Sequence, residues 1–409
     1  MRDGAVTVGA RGAGGEGVDH HGAFARDLLG RGYAPATIEG KLALLRAFER
    51  WVRRRRRDLY DLDERTIDAF VGRRPGSQRG HGRLTLREFL GHLRVQGRAC
   101  SPARDDASPF EALVQRYERY LRAERGLCAT TVHTQLRIAR RFLSESVWED
   151  GRSAPTLTAA DVSTHLRRHA RAGSPGSAKL LVCVLRTLLR FLFQHGDTST
   201  DLSAAVLTVR DWRLVSIPKF LSPHDVERVV AACPRDTPKG RRDRAILLLL
   251  ARLGMRAGEV VSLELDDIDW RAATITVRGA KGLRQERLPL PADVGRALAQ
   301  YLRRDRTPGG PRRVFLRMRA PRAGFAGPGA ITTLVGDALT RAGLHPAVRG
   351  AHLLRHSLAT HMLRSGASLA EIGQVLRHRA ASTTEIYAKV DLPGLRTVVH
   401  PWLPIGGGQ

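Results

Sequence analysis

Four short segments in the second half of the chain carry side chains that could together do phosphate chemistry. In chain order they are LGMRAGEVVSLELDDID, GAKGLRQER, HLLRHSLATHML and VLRHRAASTTEIYAKV. Breaking and remaking a phosphodiester without a metal requires a nucleophile, cations for the non-bridging oxygens and an acid for the leaving oxygen. The side chains that fit these needs, with one supporting carboxylate, are Arg256, Glu259, Lys281, His352, Arg355, His378 and Tyr387.

The types and spacing of these residues suit attack by a tyrosine. An arginine fork holds two phosphate oxygens and stays protonated, and His352 and Arg355 would share one face of a helix. Free tyrosine titrates near pH 10, so attack at neutral pH needs a base and a positive field, which the histidines and cations can supply. A phosphotyrosine ester would keep the energy of the broken bond, so religation would need no ATP. In agreement, the sequence contains neither a G-x-x-x-x-G-K-[ST] loop nor an acidic cluster of the two-metal kind.

At these positions the chain closely resembles the tyrosine recombinases of the phage-integrase family, which include the lambda-integrase and Xer types. The catalytic half of that family shows R-x-x-E after an apolar helix, a lysine in a β-turn, H-x-L-R-H, and then G-H followed by S-T-x-x-Y. The resemblance is highly specific over about residues 218–392, moderate over 109–197 and weaker over 23–98.

The resemblance implies a DNA-cleaving role for each position. Arg256 and Arg355 would clamp the scissile phosphate, and His378 would donate a hydrogen bond to it. Glu259 would orient Arg256 without reacting. Arg377 departs from the family pattern, because a glycine usually precedes the second histidine. If that glycine is left-handed in relatives, an arginine there costs about 1 kcal/mol or shifts the turn.

The remaining three residues would carry the covalent step. Tyr387 would attack the phosphate, leaving a 3′-phosphotyrosine and a free 5′-hydroxyl. Lys281, at the tip of a β-turn, would be the acid for the 5′-oxygen, and His352 would assist proton transfer. The resemblance therefore implies an enzyme that needs neither metal nor other cofactor.

The charge of the chain indicates a polyanionic partner. Lys and Arg total 68 against 40 Asp and Glu among 409 residues, for a formal net charge of +28 and a pI near 11.4. Such an excess is typical of nucleic-acid-binding proteins. The sequence has no apolar run long enough to span a membrane and no charged-then-apolar leader. We therefore expect a bacterial cytoplasmic, nucleoid-associated protein that binds double-stranded DNA.

Neither the cysteines nor the clustered histidines predict a metal site. Cys100, Cys128, Cys183 and Cys233 lie far apart with no C-x-x-C pair, so we expect buried, reduced thiols. The i, i+4 pair His352 and His356 could suggest zinc, with His361 nearby. The intervening residues include an arginine and no glutamate, which disfavours zinc.

Two stretches of the first half of the chain resemble each other. GYAPATIEGKLALLRAFERWV from Gly32 aligns with GLCATTVHTQLRIARRFL from Gly126, and LREFLGHLRVQG, ending at Gly97, aligns with LLRFLFQHG, ending at Gly196. The spacing of apolar residues predicts helices in both, for example over Thr37–Val52. We interpret them as two copies of one small helical unit. Two unrelated helical stretches with generic amphipathic spacing remain the alternative.

These patterns predict a mostly α-helical, multi-domain DNA clamp with a small antiparallel β-sheet in its catalytic domain. The predicted parts are a flexible tail (1–22), an N-terminal helical domain (23–98), a helical SAM-like core-binding domain (109–197), a catalytic domain (215–400) and a second tail (401–409). Two strands are expected, Thr274–Arg278 and Gln285–Leu290. In the core-binding domain we expect DNA contacts from Arg137, Arg140, Arg141, Lys179 and Arg186.

The leading hypothesis is a site-specific recombinase or integrase of a mobile element, working as a tetramer on DNA, either alone or with other recombinases. A type IB topoisomerase shares the nucleophile and cations but would relax supercoils as a monomer without site preference. A non-catalytic DNA-binding protein on the same fold is the third hypothesis. The complete set of catalytic residue types argues against the third hypothesis, and the duplicated helical unit mildly favours the first.

Overall fold

The computed structural model describes residues 19–56, 62, 64–97, 108–148, 156–171, 174–208, 218–279, 285–306 and 310–390. These residues form two compact units. One combines the described parts of 1–102 and 219–409, and the other lies within 103–218. Helices dominate both, and the described strands form one antiparallel sheet, which confirms the predicted fold class.

Four helices build the N-terminal part of the first unit. They are His20–Gly30 (α1), Pro35–Arg53 (α2), Glu64–Val71 (α3) and Gly76–Val95 (α4). Helix α1 begins inside the predicted tail, because the Asp19 side chain accepts a hydrogen bond from the Gly22 N–H and so caps the helix. Phe24, Phe48 and Phe89 are buried in the core among the four helices.

The second unit repeats this plan. Its helices are Pro109–Arg119 (α5), continued by a π-helical turn, Ala129–Leu143 (α6), also continued by a π-helical turn, Ala159–Arg171 (α7) and Pro175–Gln194 (α8). Helices α5 and α8 start alike, with a serine N-cap followed by proline at the first position, Ser108 and Ser174 being the caps. The core includes the buried Tyr117, Phe142 and Phe191.

The two sets of four helices correspond in their turns as well as in their order. Gly32 and Gly126 precede α2 and α6 with φ of 80° and 58°, and Gly97 and Gly196 follow α4 and α8 with φ of 68° and 74°. Glycine is the residue that adopts such positive φ at little cost. This agreement supports the proposed duplication, which stays a prediction.

One buried position distinguishes the two sets. Lys41 on α2 is 3% exposed, and its Nζ donates to Glu88 Oε2 at 2.7 Å and to the Thr85 hydroxyl at 3.2 Å. The aligned residue on α6 is Gln135, whose Oε1 accepts a hydrogen bond of 3.1 Å from the buried Tyr117 hydroxyl. Each set thus satisfies its buried polar group, one with an ion pair and the other with a neutral hydrogen bond.

The C-terminal part of the first unit carries the remaining helices and the sheet. The helices are Pro223–Ala231 (α9), Pro238–Arg252 (α10), Ala257–Ser262 (α11), Ala292–Arg304 (α12), Gly329–Arg341 (α13), Ala351–Arg364 (α14) and Leu369–Val375 (α15). Two 3-10 turns, Ala381–Thr383 and Glu385–Val390, follow α15. Residues 245–251 of α10 are all buried, so this helix forms the centre of the core.

The sheet has strand order β1-β2-β3, with β1 at Ile268–Asp269, β2 at Thr274–Arg278 and β3 at Gln285–Pro289. Both predicted strands are confirmed, although β3 ends one residue early. The two-residue β1 was not predicted, since so short a strand has no alternation to detect. Ile275 pairs with Leu288 across β2 and β3.

The expectation of buried cysteines is wrong for two of the three that the structure describes. Cys233 is buried, but Cys128 and Cys183 are exposed. Cys128 is the N-cap of α6, and Cys183 lies on the open side of α8. Cys100 lies outside the described residues. In the part of the chain that the structure describes, no helix is long and apolar enough to cross a membrane.

Two phenylalanines of α8 offer a matched test of the second unit's core. Phe191 is fully buried and Phe193 is 44% exposed. We expect Phe191→Ala to destabilise the unit by about 3–5 kcal/mol, because large-to-small core changes leave a cavity. Phe193→Ala should cost far less. Hydrogen exchange of the α8 amides measures the loss of stability in each variant. Equal protection in the two variants would contradict this packing.

Candidate active site

Arg256 stands at the start of α11 and is held there by Glu259. Its main-chain N–H donates to Glu259 Oε2 and its Nη1 donates to Oε1, both at 2.8 Å. The Arg256 side chain is 40% exposed, so part of the guanidinium faces solvent. Glu259 therefore fixes both the main chain and the side chain of Arg256.

Arg377 approaches the same carboxylate from the far end of the sequence. It lies just after α15, is buried, and its Nη2 donates to Glu259 Oε2 at 2.9 Å. Its own carbonyl oxygen accepts from Arg256 Nη2 at 3.0 Å. Burial acts to raise the pKa of Glu259, but the charges of Arg377 and Arg256 and the Arg256 N–H outweigh burial and hold that pKa below its usual value.

Arg377 adopts the left-handed backbone that the departure from the family glycine suggested. Its φ is 57°, a conformation that costs a non-glycine residue about 1 kcal/mol. Nη1 donates to the carbonyls of Leu253 and Val375, at 3.3 and 3.2 Å. These bonds hold the turn in this strained conformation with an arginine in it.

Arg355 is the most enclosed cation of the cluster. It projects from α14, is 4% exposed, and donates to the main-chain carbonyls of Gly254 and Leu376. Burial, and then the positive charges of Arg256 and Arg377, lower its pKa to about 10. The guanidinium thus remains charged at neutral pH, and its field extends to Tyr387.

Tyr387 lies in the last described 3-10 turn, and its hydroxyl meets a histidine of α14. The side chain is 1% exposed, and its oxygen lies 2.7 Å from Nδ1 of His356. Burial raises the pKa of Tyr387 to about 12, against the smaller opposite effect of Arg355. Burial, His352 and Arg355 lower the pKa of His356 to about 4. At neutral pH the pair is a neutral phenol beside a neutral imidazole.

The other two predicted histidines flank this pair. The rings of His352 and His356 are 6.3 Å apart, and His352 is exposed. The His378 ring lies parallel to that of Tyr387 at 6.5 Å, and its Nδ1 is 2.7 Å from the Thr384 hydroxyl. Burial and the nearby arginines lower the pKa of His378 to about 4.

The structure therefore gathers six of the seven residues singled out in the sequence. Lys281 lies outside the described residues, between β2 and β3. Sequence reasoning missed His356, which it considered only as a zinc ligand, although the spacing of four from His352 placed it on the same helix face. It also missed the contacts of Arg377, whose partners lie far away in sequence.

The five predicted DNA contacts of the second unit separate into two groups. On α6, Arg137 is exposed, Arg140 Nη2 donates to Glu111 at 2.8 Å, and Arg141 Nε donates to Glu145 at 2.9 Å. Carboxylates therefore partly neutralise this face.

On α8, Lys179 and Arg186 line a groove of about 460 Å³ together with Arg125 and Arg190. Arg186 Nη2 also donates to the Val206 carbonyl at 2.8 Å. The groove combines four basic side chains, two of which the sequence did not single out.

Among the described residues, one group could offer three ligands to a metal. Glu145, His165 and His169 place their ligand atoms within 4.8 Å of one another. The carboxylate already pairs with Arg141, and Arg168 lies 4.0 Å from it. Neighbouring cations disfavour a metal ion, so we assign none.

Comparison with known proteins agrees with this fold and cluster. Residues 219–392 match the phage integrase family. The chain is 42% identical over 381 residues to the y4rA protein of Sinorhizobium fredii, named for an integrase/recombinase, covering 93% of each. It is 33% identical over 311 residues to the tyrosine recombinase XerD of Mycobacterium tuberculosis H37Rv, covering 70% of this chain and 97% of that one.

Two solved structures share the fold. A lambda integrase dimer bound to a COC′ core site aligns with a TM-score of 0.52 at 18% identity, over 72% of this chain and 99% of that one. The XerH recombinase in a post-cleavage complex with difH aligns with a TM-score of 0.52 at 19% identity, over 76% of this chain and 88% of that one.

Helical units, a small sheet and a tyrosine among arginines and histidines together define an enzyme that transfers DNA strands. The chain belongs to the phage integrase family and is a site-specific tyrosine recombinase. The topoisomerase and the non-catalytic interpretations are not favoured.

The low pKa of His356 predicts a pH-dependent stability. Because the folded-state pKa of about 4 lies below the unfolded value near 6.5, the unfolded chain binds the proton more readily. Stability should therefore fall as pH drops from about 6.5 to 4, by up to about 3 kcal/mol from this group. His356→Gln should show a smaller fall in denaturant titrations. The exposed His345 supplies the control, His345→Gln, and an equal change in both variants would contradict the assignment.

Proposed function

We propose that the chain cuts and rejoins double-stranded DNA through a covalent bond from the Tyr387 oxygen to a 3′-phosphate, releasing a 5′-hydroxyl. The observation that carries this proposal is the 2.7 Å contact between the Tyr387 hydroxyl and His356 Nδ1, beside the buried Arg355. It supplies a nucleophile, a proton acceptor and a cation in one place. Reversal of the same step rejoins the strand without ATP.

His356 is the proposed acceptor of the tyrosine proton. With its own proton on Nε2, the neutral imidazole presents the Nδ1 lone pair to the phenol. The pKa values, about 12 for Tyr387 and about 4 for His356, make transfer before attack unfavourable. The proton therefore moves as the oxygen–phosphorus bond forms. His352, the next ring along α14, assists by relaying the proton toward solvent.

The cations hold the phosphate in this proposal. Arg256 presents a partly exposed guanidinium, and Arg355 donates to carbonyl oxygens that a charged phosphate oxygen can replace, since charge-assisted bonds are stronger. His378 donates a hydrogen bond to the phosphate. Lys281, which lies between β2 and β3 in the sequence, protonates the leaving 5′-oxygen.

We propose that the second unit binds the DNA. The basic groove beside α8 offers four cations to phosphates, and a formal net charge of +28 favours a polyanion. On the α6 face, Arg137, Arg140 and Arg141 are proposed to exchange carboxylates for phosphates when DNA binds.

Assembly and biological role follow from the relatives. Solved lambda integrase structures are a dimer on a core site and a tetramer on a Holliday junction, so we propose a tetramer on two DNA duplexes. The integrase/recombinase name of the Sinorhizobium protein supports integration or excision of a mobile element. We propose that the protein does this work in the bacterial cytoplasm, at the nucleoid.

A suicide substrate tests the covalent step directly. The DNA comes from the ends of the element that carries the gene and is nicked near the cleavage point, so that religation fails. On a denaturing gel we expect a protein–DNA adduct with the wild type and none with Tyr387→Phe. Tight DNA binding without an adduct would count against the proposal.

The proton acceptor has its own test. His356→Gln should slow adduct formation by about 10²–10⁴-fold, the range for loss of a general base, while DNA affinity stays unchanged. His361→Gln is the matched control on the same helix, because His361 bonds the Leu221 carbonyl instead. Unchanged cleavage by His356→Gln would assign the proton to another acceptor, His352 first.

A further inference from the structure

Arg377 lies inside the cluster, and its guanidinium engages the Glu259 carboxylate and two main-chain carbonyls. Its side chain is 4% exposed, so it is enclosed by protein. Two of its contacts lead to Arg256, one through the Glu259 carboxylate at 2.9 Å and one through its own carbonyl, which accepts from Arg256 Nη2 at 3.0 Å. These contacts give Arg377 a route to the reaction through Arg256.

We infer that Arg377 is a positioning residue that sets the orientation of Arg256 toward the scissile phosphate, an inference that rests on the proposed function. Its carbonyl engages Nη2 of Arg256, while Glu259, held by Arg377, engages Nη1. Nη2 of the Arg256 fork is thus held by the main chain of residue 377, and Nη1 by a carboxylate that the Arg377 side chain holds. A glycine there would supply the carbonyl but leave Glu259 bound to Arg256 alone.

The charges around the cluster support a positioning role for Arg377. The guanidinium groups of Arg256, Arg355 and Arg377 surround one buried carboxylate, Glu259, and the next acid, Glu286 on β3, lies 3.9 Å from Arg377 Nε. A buried cation beside two others in a left-handed backbone is an unfavourable choice for stability alone. Backbone strain of this kind is concentrated at functional sites. The group that Arg377 contacts directly and through Glu259 is the guanidinium of Arg256.

Substrate chemistry can separate positioning from support of the fold. A methylphosphonate linkage replaces one non-bridging oxygen of the scissile phosphate by a methyl group and removes its negative charge. Cleavage of this neutral linkage depends less on the arginine that would hold the missing charge. A defect that acts through Arg256 should therefore shrink on the methylphosphonate, whereas a defect of folding should be the same on both substrates.

The experiment measures adduct formation by the full chain on nicked DNA with either linkage, at saturating DNA. The variants are Arg377→Gly, Arg377→Lys and Arg256→Ala. Arg241→Ala is the matched control, since Arg241 forms another enclosed ion pair, at 2.6 Å to Asp305, in the same unit. Thermal unfolding of each variant reports its loss of stability.

We expect Arg377→Gly to slow cleavage of the phosphodiester about 100-fold, the effect of a small misplacement of a reacting group. On the methylphosphonate its defect should fall below about tenfold, as for Arg256→Ala, and Arg377→Lys should lie between Arg377→Gly and wild type. Arg241→Ala should show the same small change on both substrates.

Equal defects of Arg377→Gly on the two substrates would overturn the inference and leave the proposed function standing. No adduct from the wild type on either substrate would overturn both. In a third outcome, the defect of Arg256→Ala shrinks on the methylphosphonate while that of Arg377→Gly does not. This result would show that Arg256 holds its place without Arg377, and it would also overturn the inference.

Discussion

The buried carboxylate of Glu259 accepts hydrogen bonds from the main chain and side chain of Arg256 and from Arg377. These partners belong to segments far apart in the chain, one after α10 and the other after α15. A carboxylate enclosed by protein must keep its cationic partners, because an unpaired buried charge is costly. The arrangement of Arg256 and Arg377, and of the turn that leads to Tyr387, therefore depends on this one group.

The same enclosure sets the protonation state of Tyr387, the proposed nucleophile. Burial favours the uncharged forms of Tyr387, His356 and His378, while the arginines add a field that opposes protonation of the histidines. In this cluster the arginines therefore carry the charge, and the neutral tyrosine and histidines carry the protons that can be transferred. In the proposed reaction, a phosphate that enters would meet cations in place and a phenol already paired with its acceptor, which would limit reorganisation in the transition state.

Much of this site is readable from sequence because its residue types follow from the chemistry and their order recurs in a family. The strands before and after Lys281 in the sequence were predicted from alternation and turn-forming residue types alone. The contact between His356 and Tyr387 was not, because it depends on the path of the chain after α15. The strain at Arg377 was foreseen, but its ion pair with Glu259 joins segments that no local pattern connects. The exposure of Cys183 was mispredicted because a general tendency of cysteine was applied to a residue on an open helix face.

The aligned positions of Lys41 and Gln135 bear on how the two helical units have evolved. If the units arose by duplication, one copy came to enclose an ion pair with Glu88 where the other encloses a neutral hydrogen bond with Tyr117. Neither solution can be exchanged for the other one residue at a time, because the intermediate would hold an unmatched buried group. Recombination between the two repeats of the gene would produce such mismatched hybrids. The divergence of these cores thus favours keeping both copies intact and in their present order.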